Sequence, residues 1–244
     1  MDLQIIIDSL PAFLEGMGLT IQITFLSLAI GFCLSLPLAM MRVSKHAVLW
    51  MPAFGFIFFF RGTPLVIQLF LIYYGLGQFH KALDAVGLWV FFREAYFCGV
   101  FALALNTAGY TAEILRGAIR AVPIGEVEAA RACGMRGTLL YRRIILPKAF
   151  RLAIQAYSNE VVFLFQATSL ISLITLMDLT GVARVIAARS FAFYELYLAA
   201  AVLYLIVTYG ILYVFKKVEH RWSGHLRQRD DDDIKEAVTT ASMH

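Results

Sequence analysis

The sequence predicts an all-α integral membrane protein with five membrane-spanning helices, its N-terminus outside and its C-terminus in the cytoplasm. Three observations lead there. Of 244 residues, 60% are hydrophobic, and the mean hydropathy is +0.74, well beyond a water-soluble domain. Long uncharged stretches recur, each approaching or exceeding the ~20 residues that cross a bilayer as a helix. The basic residues are also segregated. Sixteen Lys and Arg fall in residues 42–49, 113–152 and the tail, against four (Lys81, Arg93, Arg184 and Arg189) in the alternate connections. The positive-inside rule puts the richer side in the cytoplasm, and five spans satisfy that parity.

Leu3, Ile6, Leu10 and Phe13 recur at helical spacing among Asp2, Asp8 and Glu15. Residues 1–15 therefore read as an amphipathic helix lying in the membrane interface. No Lys or Arg precedes Arg42, so the positive n-region of a cleaved signal peptide is missing. Residues 16–222 form the membrane unit. Its first span holds 26 uncharged residues, Gly16 to Met41, and Pro37 is expected to kink or end it. Span two begins near Trp50, runs through F-G-F-I-F-F-F, meets Arg61-Gly62-Thr63-Pro64 and continues to about Gly77. Gly-Thr-Pro interrupts an ordinary helix and frees backbone groups that must line a cavity. Residues 78–94 read as a polar loop.

Span three covers about Ala95 to Ala112 and continues as a helix toward Arg120. Span four covers about Ala153 to Met177. A loop bearing Asp178, Arg184 and Arg189 leads to span five, about Leu196 to Phe215. Residues 223–244, with Asp230 to Asp233, read as a solvated, disordered cytoplasmic tail.

Composition excludes several classes. The net charge of +4 resides in loop residues, and no basic patch interleaved with aromatics points to nucleic acid. Cys33, Cys98 and Cys133 lie far apart without ligand spacing, so they read as structural thiols. The chain has no G-x-x-x-x-G-K-[ST], no H-E-x-x-H and no G-x-S-x-G, which leaves no sequence sign of a nucleotide site, a metalloprotease or a serine hydrolase. An odd span number without internal repeats disfavours an ion-coupled secondary transporter.

The one long charged segment between spans is Val122 to Arg151. Glu126 to Cys133 is helix-compatible, with acids at its start and Arg131 near its end, as the helix dipole prefers. Ala129, Ala130 and Ala132 leave a low profile for a close partner, and Gly134 stands where a left-handed C-cap is wanted. A second helical stretch, Thr138 to Ile145, leads to Pro147. By physics alone the segment also reads as an interfacial helix. Glu128-Ala129-Ala130, three residues, Gly134, nine residues, Ile144, one residue and Leu146-Pro147 match in full the EAA signature of bacterial ABC importer permeases.

On those residues the chain resembles the polar amino-acid uptake permeases, in particular the histidine/lysine/arginine/ornithine and opine permeases, over roughly Thr20 to Trp222. The resemblance implies a type I ABC importer transmembrane domain in the bacterial inner membrane. It implies that the loop 122–151 couples to an ABC ATPase dimer, which binds ATP and Mg, so that this chain needs no cofactor and is not itself an enzyme. A second, homologous permease subunit and a periplasmic solute-binding protein are the other expected partners, with lipid around the spans. The implied cargo is a polar amino acid of the basic class, with an opine as the alternative.

Ionisable and amide groups inside spans mark the expected pathway: Arg61 and Gln68 in span two, Asn106 and Tyr110 in span three, Asn159 and Glu160 in span four. Taken singly, the amide residues read first as interhelical hydrogen bonds. Glu160 differs, because a carboxylate at that depth requires a cation. Either Arg61 pairs with it, or a cationic group of the cargo does. In the second case the forked donors of Arg61 are free to attract the cargo's α-carboxylate.

Overall fold

The computed structural model describes the backbone of residues 3–241 and the side chains of residues 4–222. No strand occurs among the described residues. The helices are α1 (Leu3–Val43), α2 (Ala47–Gly62), α3 (Leu65–Phe70), α4 (His80–Ala85), α5 (Trp89–Phe92), α6 (Ala95–Arg120), α7 (Ile124–Ala132), α8 (Gly137–Leu140), α9 (Leu146–Ala167), α10 (Leu179–Ser190) and α11 (Phe193–Ala241). Helices α1, α6 and α11 are each long and apolar enough to cross a bilayer. Two further candidates are bent pairs. The break between α2 and the segment 65–85 turns the chain by 106°, and the break before α10 turns it by 49°. Five spans result when each bent pair counts as one.

Helix α6 is the centre of the bundle, packing against α1, α2, α3, α5 and α9. Its buried positions are mostly small: Gly99, Ala102, Ala104, Ala108, Gly109 and Ala112. Such a surface lets neighbouring backbones approach closely, the usual way helices associate where lipid offers no hydrophobic drive. Opposite it, a Cβ on Gly31 of α1 would stand 2.2 Å from Thr107 Cγ2 and 3.0 Å from the Ala104 carbonyl oxygen. Only glycine fits that crossing.

Several expectations are corrected. Residues 3–15 are not a separate helix, because α1 runs unbroken to Val43 through both Pro11 and Pro37. Phe13 and Met17 are buried with Leu179, Val182 and Leu196, which ties the first turns to the bundle and keeps them on the axis of the span. At the far end Ala39 is held in a second core cluster with Ala112 and Leu115, and this packing carries the helix past Pro37. Residues 78–94 are not a plain loop, since they contain α4 and α5. The loop expected after residue 177 is largely α10. Leu179, Val182, Ala183 and Ala187 form one buried face at helical spacing, and the Asp178 carboxylate caps the helix by accepting from Thr180 N and Gly181 N. The backbone of α11 continues as far as Ala241 through the segment read as a tail, and residues 242–244 of that reading lie outside the described residues.

Candidate functional site

The discontinuity expected at Gly62-Thr63-Pro64 is present: α2 stops at Gly62, and Thr63 and Pro64 are extended. Pro64 lacks an N–H, so carbonyls near the end of α2 lose helical partners. Gln68 and Asn106 supply replacements. The Gln68 amide donates to Phe60 O at 2.9 Å, Thr63 O at 3.0 Å and Thr63 Oγ1 at 2.8 Å. Asn106 Nδ2 donates to Gln68 Oε1 at 3.0 Å and to Phe60 O at 3.2 Å. Both side chains are buried. Their donors thus close the broken helix, the interhelical hydrogen bonding that amide side chains make inside spans.

The remaining polar groups fall on two faces of α6. Asn106, Tyr110 and Glu113 share the face toward α2, as their spacing predicts. The Arg61 guanidinium lies 5.2 Å from the centroid of the Tyr110 ring, a cation–π distance. Glu113 pairs with Arg116 through its Oε1 and, at 2.7 Å, its Oε2. Arg61, Glu113 and Arg116 line a cavity of about 350 Å³ with Arg42, whose own guanidinium lies 4.7 Å from the Phe54 ring centroid. Arg42 and Arg116 counted in the sequence only toward the cytoplasmic charge, because a basic residue at the end of a span is ordinary.

On the face toward α9, Thr107 Oγ1 donates to Glu160 Oε1 at 2.8 Å. Glu160 is 7% exposed. Among the described residues no protein donor bonds its Oε2, and the ion pairs are Arg93–Glu94, Arg116–Glu113 and Lys148–Glu126. Arg61 and Glu160 make no direct salt bridge. Asn159, the neighbour of Glu160, is exposed on another face of α9 and does not join it. Thr111 stands one turn beyond Thr107, with its buried Oγ1 unpartnered.

The loop 122–151 forms the second candidate region. Helix α7 ends in a Schellman arrangement, with Gly134 N donating to Arg131 O at 2.9 Å and Met135 N to Ala130 O at 3.0 Å. Gly134 has φ +83°, the left-handed cap its position predicts. Ala130 is buried against the chain's own core, with Val127 and Met135 packed on it, while Glu128, Ala129 and Gly134 face outward. Lys148 pairs with Glu126 and ties α7 to α9. Residues Gly137–Leu140, a π turn at Tyr141–Ile145 and α9 form one continuous helical rod. The π turn precedes Pro147, with Leu146 N bonded back to Tyr141 O. It opens the ladder where the proline ring would otherwise press on a carbonyl one turn back. Ile144 and Leu146 pack on the core cluster beneath α7.

The profile of the binding-protein-dependent transport system inner membrane components matches residues 31–224. The chain is 43% identical to the nopaline transport system permease protein of Agrobacterium fabrum over 98% of its own length and 100% of that protein's. It is 47% identical to an octopine transport system permease protein of Rhizobium meliloti, covering 88% and 87%. Identity is 43% to the histidine/lysine/arginine/ornithine transport system permease protein of Escherichia coli, covering 87% and 89%. Among solved structures, an amino acid ABC transporter crystallised with histidines superposes with a TM-score of 0.81 at 33% identity, over 91% of this chain and 99% of that one.

Proposed function

The chain belongs to the family of binding-protein-dependent transport system inner membrane components, and from that premise we propose that it passes a cationic amino acid across the inner membrane. At the coarser level it is an inner-membrane permease subunit of an ABC importer for amino acids or opines. The cation preference rests on one observation. Glu160 is buried in the bundle with one oxygen held by Thr107 and no ion pair to neutralise it. A carboxylate in that setting is costly unless a cation meets it. The positive side chain of the cargo fills that role, and Arg61, held over Tyr110, attracts the α-carboxylate.

Energy comes from elsewhere, because the chain carries no phosphate-binding G-x-x-x-x-G-K-[ST]. The outward face of α7 (Glu128, Ala129 and the Gly134 cap) docks a separate ATPase dimer that binds ATP and Mg. Displacement of α7 passes through Ala130 and the Lys148–Glu126 pair to the rod beginning at Gly137. Glu160 lies about 20 Å farther along that rod than Pro147, so movement at the loop reaches the carboxylate without a flexible joint. A second permease subunit completes the pathway, and a solute-binding protein delivers cargo from outside.

Radiolabelled arginine uptake by the full system, with lysine, ornithine, histidine, glutamine and octopine as competitors, tests this reading. Inhibition by the cationic amino acids, with Glu160→Gln lowering arginine uptake and abolishing that preference, supports it. Unchanged rate and selectivity in Glu160→Gln would sink it. Inhibition mainly by glutamine, whose side chain carries no positive charge, would keep the importer and return Glu160 to a structural role.

A further inference from the structure

A cavity of about 840 Å³ opens between α9 and α11 at the end of the bundle that bears the EAA loop. Its walls are aromatic and aliphatic. Tyr157 stacks edge-on against Phe32 at 5.6 Å and Phe215 at 6.1 Å. Three guanidiniums, those of Arg142, Arg151 and Arg221, stand among the lining residues, and among the described residues no carboxylate does. None of the three makes an ion pair or hydrogen bond among the described residues. Trp222 lies beside Arg221 in the lining, where interfacial tryptophans mark the headgroup level.

We infer that this cavity is a binding site for an anionic phospholipid, its phosphate held by Arg151 and Arg221 and its acyl chains laid along the aromatic wall. The depth fits. Arg151 to Tyr157 on α9 and Trp222 to Phe215 on α11 each span about 10 Å of helix, so an apolar wall of that length descends from the charged rim toward the membrane interior. A free phosphate has no use for such a wall, and an apolar partner helix has no use for three uncompensated arginines. Basic pockets between spans at the membrane surface are where anionic headgroups bind, with guanidinium suited to phosphate. The site is independent of which cargo is carried.

The test uses the purified full transporter, delipidated in detergent and titrated with cardiolipin or phosphatidylcholine under native mass spectrometry. Retention of cardiolipin over phosphatidylcholine is expected. The double variant Arg151→Gln/Arg221→Gln lowers cardiolipin affinity roughly thirtyfold, equivalent to about 2 kcal/mol for two surface charges. Lys216→Gln/Lys217→Gln removes the same charge outside the cavity and leaves retention intact. Val218→Trp fills the cavity without altering charge and also abolishes retention, which a phosphate-only site would not do. Equal loss in the lysine variant overturns the proposal, as does cardiolipin displaced by inorganic phosphate. So does a Trp222→Cys variant that crosslinks to the second permease while no lipid copurifies, since the cavity is then a subunit interface.

Discussion

Gly31→Ala probes the crossing on which the position of Glu160 depends. The added methyl would sit 2.2 Å from Thr107 Cγ2, 3.0 Å from Ala104 O and 3.4 Å from Ala108 N. Carbon atoms rest at about 3.5–4.0 Å, so the Thr107 contact falls short by more than an ångström. Two responses are open. If α1 and α6 part, the overpacking costs about 1–3 kcal/mol. If Thr107 rotates its methyl aside, its hydroxyl leaves Glu160, and a hydrogen bond to a charged group worth about 1.5–3 kcal/mol is lost. Thr107→Ser separates the causes, because serine keeps the hydroxyl and removes the methyl. The assay is thermal unfolding of the purified transporter in detergent, combined as a double-mutant cycle and paired with cargo-stimulated ATPase activity. Gly31→Ala should lower stability and stimulation together, and adding Thr107→Ser should restore at least about 1 kcal/mol, beyond the ~0.5 kcal/mol scatter of independent sites. A neutral Gly31→Ala, or a double variant no better than the sum of its parts, would refute the assignment of Gly31 to this contact.

Other substitutions read different joints. Gln68→Leu deprives Phe60 O and Thr63 O of a donor and should destabilise by about 1–3 kcal/mol, seen as a lower unfolding temperature; an unchanged temperature would mean that other donors close the break. Asp178→Ala removes the cap of α10 and should cost about 1–2 kcal/mol, whereas Asp178→Asn retains most of the stability because asparagine caps as well. Gly134→Val places a β-branched residue at φ +83°, at a cost of about 1–2 kcal/mol or more. A Cβ there meets nothing within 4 Å, so the penalty is conformational and Gly134→Asn should be tolerated. Transport per ATP hydrolysed should fall in the valine variant and not in the asparagine one. Equal coupling in both would remove the cap from the mechanism.

The membrane class, the long central helix α6, the membrane-spanning part of α11, the break at Gly62-Thr63-Pro64 and the capped helix before Gly134 were legible in the chain alone. Each rests on short-range physics: hydropathy sets what enters lipid, proline removes a donor, and glycine admits a positive φ. The face shared by Asn106, Tyr110 and Glu113 was legible for the same reason, since helical periodicity needs no partner. The continuity of α1 through Pro11 and Pro37 was not, because burial of Phe13 and Ala39 by distant helices overrides the local signal. The apolar face of α10 was present in the spacing of Leu179, Val182, Ala183 and Ala187 but was masked by Arg184 and Arg189. Which partners Gln68, Asn106 and Glu160 find was decided only by the tertiary structure. A polar group in a span must find a partner, and which one it finds depends on helices many residues away. The fold placed broken backbone beside Gln68 and Asn106, left Asn159 facing away, and set a threonine rather than an arginine against Glu160.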